Sequence, residues 1–410
     1  MQGEEHTSYH PSSRGRRRFG RNRSRVVTTA VLFFGLVIGV FAGRWSVGNI
    51  NDFTKAGTPT PPKDPHTTVL DGFEGMWVLP HPSPPPPLAM RLEHTSDTFL
   101  FFRNLVSPAR SLDSYTSPTK PDEKAIVTSL YTDAYGVAVS TLGYSLSKTS
   151  TSARKIVIYL PEKVSNYTLC RVKSAGWELL PVKYIPPPDG GKDVFWRFLD
   201  QYTKLRIWAL DQAPTSLKSI VYLDADTLVR RNFDELFDIP FVFSASPDVY
   251  MDNRGFTIGF NAGVLAIKPD SKVFDDMLTK IYLKNYRHDE AEQGFLNLYY
   301  GQQVIRLPHV YNGNLAIKSK GRKYWDAIQD QMRVVHFTLT KPFDTSPKCG
   351  GQDGACTVEE IWNTERHKRF VETAKMDRNG DFKEEIEWWE TVYDEMIASV
   401  KTDHCSPTKR

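Results

Sequence analysis

Apolar and polar positions along this 410-residue chain fall into two textures. From about Lys124 onward, short apolar runs alternate with stretches of helical period. "KAIVTSLY" reads as a buried strand, and "YGVAVSTLGYSLSK" after it as an amphipathic helix. "RKIVIYLP" is a second strand, "GWELLPVKYI" a third and "SIVYLDAD" the next, with a helical period in the intervening "RFLDQYTKLRIWALD". Strands alternating with helices predict an α/β domain with a largely parallel sheet. Residues 357–400 hold two amphipathic stretches, "VEEIWNTERHKRFVETAK" and "FKEEIEWWETVYDEMIASV", which predict a helical extension covering the domain or an acceptor groove. "DRNGDFKEEIE" within it hints at a calcium loop, but Phe382 stands where such a loop needs glycine, so that site is rejected. Trp388 and Trp389 read as packing residues.

The N-terminal texture differs. "VVTTAVLFFGLVIGVFAG", residues 26–43, carries no charge and is bounded by Arg25 and Arg44. It reaches the short end of a membrane-spanning length. The Arg-rich flank before it predicts a signal-anchor with a short cytoplasmic tail and everything else lumenal. A cleaved signal peptide, cut after "VFA", is the alternative, and it also makes the rest lumenal. Pro-rich stretches such as "HPSPPPPLAM" make residues 44–120 a stem. The expected organisation is a basic tail 1–25, an anchor 26–43, a stem 44–120, a catalytic domain 121–345 and a helical extension 346–410. The expected address is the Golgi membrane, single-pass and type II.

Composition changes this picture in two places. Seven Arg against Glu4 and Glu5 give residues 1–25 a charge of +5, which leaves −1 for the remainder of a chain whose total is +4. A folded part without a basic face argues against nucleic-acid binding. The four cysteines lack metal spacing. Cys349 and Cys356 flank "GGQDGA", a flexible loop that an oxidising compartment would allow to close as a disulfide. "NYT" at Asn166 is a glycosylation acceptor pattern, usable only in the lumen.

The candidate chemistry starts at "VYLDADTLV". Asp224 and Asp226 end an apolar run, where the carboxyl ends of parallel strands bind ligands. In a strand, positions i and i+2 point the same way, so both carboxylates can aim at one point, with small Ala225 leaving room. Taken alone, the pair reads either as a solvated strand end or as a site for a hard cation such as Mn²⁺ or Mg²⁺.

Its surroundings narrow the choice. "VYLDADTLVRRNFDELFDIP" resembles glycosyltransferase family 8, the glycogenin-like family. "VTSLYTDAYGVAVSTLGYSL", "YTKLRIWAL", "FNAGVLAIKP", "EQGFLN", "LPHVYN" and "VVHFTLTKPF" match further family landmarks in order, over about residues 124–343. The resemblance implies a single Rossmann-like nucleotide-sugar-binding domain of GT-A type, with a mixed, mostly parallel sheet. It also implies a UDP-sugar donor, a metal cofactor (Mn²⁺ or Mg²⁺) and sugar transfer with retention. Asp224, Asp226 and His336 match metal ligands. Thr128, Thr132 and Tyr135 match positions around the uracil and ribose, and Lys204 a basic residue facing sugar or phosphates. Asn261 matches a sugar-binding amide, with Ala262 where glycogenin has Ser. Asp289 and Gln293 match sugar-hydroxyl ligands. Glu292 stands where glycogenin has an Asp that is a candidate for contact with the reacting face. Lys341 matches a phosphate-contacting lysine, although its spacing from His336 is shorter than in glycogenin and Leu339 replaces or displaces a Gly. Without this context His336, Lys204 and Tyr135 would read as packing or surface residues, and "RHDEAEQG" as an acidic helix start.

The expected function is transfer of a hexosyl or pentosyl group from a UDP-sugar to a glycan or glycoprotein acceptor in the secretory pathway. Two alternatives stand beside it. A self-glucosylating glycogen primer is opposed by the anchor. A non-catalytic sugar-binding protein of the same fold is opposed by the acids, His336 and Lys341. Nothing in the sequence selects the donor sugar or the acceptor.

Overall fold

The structure is a computed structural model and describes residues 119–346 and 356–407. The basic tail, the apolar segment 26–43, nearly all of the stem and Cys349 lie outside those residues. Among the described residues, no helix is long and apolar enough to cross a membrane.

Among the described residues there are ten strands: β1 Lys124–Leu130, β2 Arg154–Tyr159, β3 Glu178–Pro181, β4 Ser219–Leu223, β5 Thr227–Val229, β6 Phe243–Val249, β7 Phe256–Ile267, β8 Ile305–Arg306, β9 Gly313–Asn314 and β10 Val334–His336. A seven-stranded sheet runs β3-β2-β1-β4-β7-β6-β8. Pairing is parallel from β3 through β4 and between β6 and β8, while β7 is antiparallel to both β4 and β6. This is the α/β architecture with a mixed, mostly parallel sheet. β5, β10 and β9 form a small second sheet at the end of β4.

β1 and β4, at the centre of the large sheet, are buried along nearly their whole length because both faces are covered. Along β1, Ala125 and Val127 pack into the core on one face, and Ile126 and Leu130 into the core on the other. The helix Gly136–Ser147 lies close against β1; it is buried on nearly every side rather than amphipathic. Residues 201–209 differ from the expected α-helix and wind as a 3₁₀-helix. Tyr202, Leu205 and Trp208, all buried, recur every third residue, and a 3₁₀ turn stacks that repeat along one line.

The extension forms the helices Val358–Ile361, Thr364–Met376 and Lys383–Ser399. Trp389 is fully buried, packs 5.3 Å from Tyr393 and belongs to the same core as Val137 and Phe343. Trp388 lies under the Arg230 guanidinium at 3.7 Å. Phe382 is buried, and "DRNG" forms a turn with Arg378 and Asn379 in the left-handed region. A disulfide links Cys170 to Cys405 across 235 residues, a pairing that sequence spacing does not suggest. Cys356 is disulfide-bonded as well. Asn166 is exposed at the start of a helix, while Thr168 of its tripeptide is buried.

Candidate active site

The carboxyl ends of β1 and β4 open onto a cleft of about 430 Å³. Asp224 and Asp226 stand at its floor, but not by strand alternation. β4 ends at Leu223 and β5 begins at Thr227, so the pair sits in the turn between them. The Thr227 amide and hydroxyl both donate to the Asp224 carbonyl and close that turn. The Asp224 amide donates to the Gly263 carbonyl and ties the turn to β7.

His336 arrives at the end of β10, which pairs with β5 and places His336 opposite Thr227. Its Nε2 lies 3.2 Å from Asp226 Oδ1 and 3.9 Å from Asp224 Oδ2. Nδ1 is 3.1 Å from Asn312 Oδ1. An Nδ1–H donated to that amide oxygen turns the Nε2 lone pair toward the carboxylates. One ligand atom from each of the three residues then lies within 4.8 Å of the others. Two carboxylate oxygens and an imidazole nitrogen suit Mn²⁺ or Mg²⁺. Gly263 makes the approach possible, because a Cβ there would meet His336 Cε1 at 2.1 Å.

Lys204 is 1% exposed. Its ammonium reaches Asp224 at 2.9 Å, Glu292 at 2.6 Å and the Ala262 carbonyl at 3.2 Å. Burial alone would lower its pKa, but the Asp224 and Glu292 carboxylates outweigh burial and hold it above its ordinary value. Burial pushes the Glu292 carboxyl up against the opposing pull of Lys204. Glu292 opens the helix Ala291–Tyr300 immediately after Ala291, whose φ of 49° is strained for a residue with a Cβ. Lys341 pairs with Asp226 and also donates to the Phe337 carbonyl. Lys341 and His336 both favour the Asp226 carboxylate, and together they overcome its burial and hold its pKa below the ordinary range.

The sugar-side amides share one buried anchor. Asn261 Nδ2 and Gln293 Nε2 donate to opposite oxygens of Asp248, at 3.1 and 2.9 Å. Gln293 Oε1 accepts from the Ala262 amide at 2.9 Å. Asp289 is tied to Arg287 at 2.6 Å on the exposed rim. Tyr135 lines the cleft and packs edge-on to Phe343, 5.5 Å away.

The cleft thus brings together Thr132, Tyr135, Lys204, Asp224, Asp226, Asn261, Ala262, Asp289, Glu292, Gln293, His336 and Lys341. Thr128 is the exception and does not reach it. Thr128 is 0% exposed and shares the Ile126 and Leu130 face of β1; Ser129 and Tyr131 on the other face line the cleft. Sequence reasoning also missed Asp248, whose only signal is a lone acid in the strand "FSASPDV". Arg197 and Asn314 were missed too, and Asn312 was passed over although it closes the landmark "LPHVYN".

Six carboxylates (Asp200, Asp224, Asp226, Asp289, Glu290, Glu292) line the cleft against three cations (Arg197, Lys204, Lys341). Six against three leaves −3 with His336 neutral. Such a lining opposes a diphosphate unless a cation enters with it.

Comparison with known proteins finds matches over this part of the chain. Residues 196–345 match the model of glycosyl transferase family 8. Inositol phosphorylceramide glucuronosyltransferase 1 of Arabidopsis thaliana is 29% identical over 54% of this chain and 42% of its own length. Glycogenin of Neurospora crassa is 28% identical over 51% of this chain and 29% of its own length. The putative UDP-glucuronate:xylan alpha-glucuronosyltransferase 5 of Arabidopsis thaliana is 29% identical over 73% of this chain and 46% of its own length. The chain therefore spans less than half the length of these curated relatives. Among solved structures, the glycosyltransferase GlyE of Streptococcus pneumoniae TIGR4 in its apo form is a remote likeness. Its TM-score is 0.40 at 16% identity, covering 67% of this chain and 63% of that one. The segment that carries Asp224, Asp226, Lys204, His336 and Lys341 is thus similar to glycosyl transferase family 8.

Proposed function

We propose that this chain is a metal-dependent, retaining glycosyltransferase that moves a sugar from a UDP-sugar to a glycan or glycoprotein acceptor in the secretory pathway. The observation that carries the reading is the convergence of Asp224, Asp226 and His336 beside Lys341, in a cleft whose lining is otherwise too acidic for a diphosphate. Asp224, Asp226 and His336 would hold Mn²⁺ or Mg²⁺, whose positive charge would offset the negative charge of the leaving diphosphate.

The protein residues do the rest. Lys341, released from Asp226, adds its charge to the departing phosphate. Asn261 and Gln293, fixed by Asp248, present amide groups to the sugar hydroxyls. Tyr135 offers a ring to the base. Neither acid near the reacting centre is free to act as a nucleophile, since Glu292 is paired with Lys204 and Asp289 with Arg287. That favours attack from the same face as departure over a covalent double displacement.

Two observations support the lumenal setting: the disulfide Cys170–Cys405 and the disulfide-bonded Cys356, since such bonds persist in oxidising compartments. The experiment is a panel of UDP-sugars assayed for UDP release and transfer, with and without Mn²⁺. One or more donors should be turned over only with metal, and Asp224→Ala and Asp226→Ala should abolish turnover. Full activity in either variant sinks the metal assignment.

A further inference from the structure

We infer that the C-terminal helical extension is part of the catalytic architecture, with Asp377 acting as a positioning residue that holds Lys341 in place through Thr340. The inference rests on the transferase reading of the cleft. It starts from the segment Phe337–Ser346, which leaves β10 just after His336 and carries Lys341.

On its inner side this segment is fastened to the cleft. Lys341 holds Asp226 and the Phe337 carbonyl, and Thr338 donates to Asn314. On its outer side, among the described residues, it is fastened to the extension and packs against Tyr135. The Thr340 hydroxyl donates to the Asp377 carboxylate at the end of the helix Thr364–Met376. Asp344 is paired with Arg366 of the same helix. Phe343, 1% exposed, lies between Tyr135 at 5.5 Å and Trp389 at 6.1 Å. Polar and aromatic contacts thus alternate along the segment, and they place Lys341 between two clamps.

The extension is itself anchored firmly enough to serve as a fixed wall. Lys318 and Glu385 form a fully buried ion pair at 2.8 Å, and Cys405 is bonded to Cys170. A lysine that must release Asp226 and meet a phosphate gains from a backbone that cannot drift. A displacement of about 1 Å at such a group is enough to slow a reaction strongly.

If the extension merely shielded apolar surface, Trp389 and its neighbours would suffice and the bond from Asp377 would be idle. Asp377 is half exposed, so altering it leaves the core intact. Thr340 is buried, and valine reproduces its shape.

The test compares Asp377→Ala and Thr340→Val with the conservative Asp377→Asn and Thr340→Ser in the full chain. Asn and Ser keep an acceptor and a donor. Two quantities are read: kcat and KM for the active UDP-sugar, and hydrogen exchange of the backbone over residues 337–346. Asp377→Ala and Thr340→Val should each lower kcat about tenfold, the scale of one lost hydrogen bond, with donor KM nearly unchanged. Both should speed exchange in that segment, the double variant should be no worse than either, and the conservative variants should stay near wild type. Unchanged exchange in Asp377→Ala and Thr340→Val overturns the inference, and so does an equal loss in Asp377→Asn. Should the wild-type chain transfer no sugar from any UDP-sugar, the proposed function falls. The exchange measurement still decides whether Asp377 holds the segment.

Discussion

Lys204→Met is the sharpest test of the electrostatics beneath the cleft. The substitution keeps the length of the side chain and removes its charge. Lys204 is 1% exposed and stands between Asp224 and Glu292, at 2.9 and 2.6 Å. Without it, the Glu292 carboxylate, 5% exposed, and that of Asp224 face each other with no cation between them. Removing one partner of a buried pair costs about 3–5 kcal/mol, because the surviving charge stays buried. For a domain of this size that is a fall of roughly 6–20 °C in Tm. The loss should depend on pH. Burial already holds the Glu292 carboxyl above its ordinary 4.5, and removing Lys204 raises it further. A group whose folded pKa exceeds its unfolded value contributes stability below the unfolded value and loses it as pH rises through the folded one. The variant should therefore lie nearest to wild type below pH 4.5 and diverge as pH rises. Urea unfolding of both proteins across that range measures the difference, and Lys204→Met combined with Glu292→Gln should recover part of it. A pH-independent loss under about 1 kcal/mol, the scale of an ordinary surface change, would refute the buried triad.

Three further outcomes follow from other contacts. Gly263→Ala places a Cβ 2.1 Å from His336 Cε1 and 2.6 Å from Nδ1, so the ring must move. Mn²⁺ titration of activity should show a roughly 10–100-fold weaker metal affinity, the scale seen when a ligand loses its orientation. His367 is buried against Tyr393 at 4.2 Å and Trp389 at 5.2 Å, its Nε2 has no partner, and burial pushes its pKa down to about 4. Its neutral form then contributes about 3 kcal/mol in full above its ordinary 6.5, and this is lost as pH falls from there toward 4. His367→Phe should flatten the stability profile in that window. Cys405→Ser opens a loop of 235 residues and should lower stability by roughly 2–5 kcal/mol, read by denaturant midpoint under non-reducing conditions.

The parts of the site legible in the sequence are those whose chemistry is local. Asp224 and Asp226 end an apolar run, and their spacing is visible without knowing the fold. The geometry inferred from that spacing is not the observed one, because the Thr227 hydroxyl and amide curl the chain into a turn. Thr128 shows the limit of period-two reasoning. β1 is covered on both faces and buried along nearly its whole length, so no alternation marks which residues look into the cleft. Ser129 and Tyr131 do, and Thr128 does not. Lys204 is legible as a residue but not as an environment, because its partners Asp224 and Glu292 come from a strand end and a helix start far along the chain. The Cys170–Cys405 bridge is hidden for the same reason, since spacing points to the short loop between 349 and 356 instead. The only local signal of Asp248 is that it is the lone acid of its strand, yet it fixes both Asn261 and Gln293.

These omissions share a cause with the role inferred for the extension. A motif records the groups that touch a ligand. The side chains that hold those groups still, such as Asp248 beneath the amides and Asp377 outside Lys341, are chosen by the packing of distant elements. Family landmarks therefore stop at Phe343, while the support for Lys341 continues from Phe343 into Trp389 of a segment that no landmark covers.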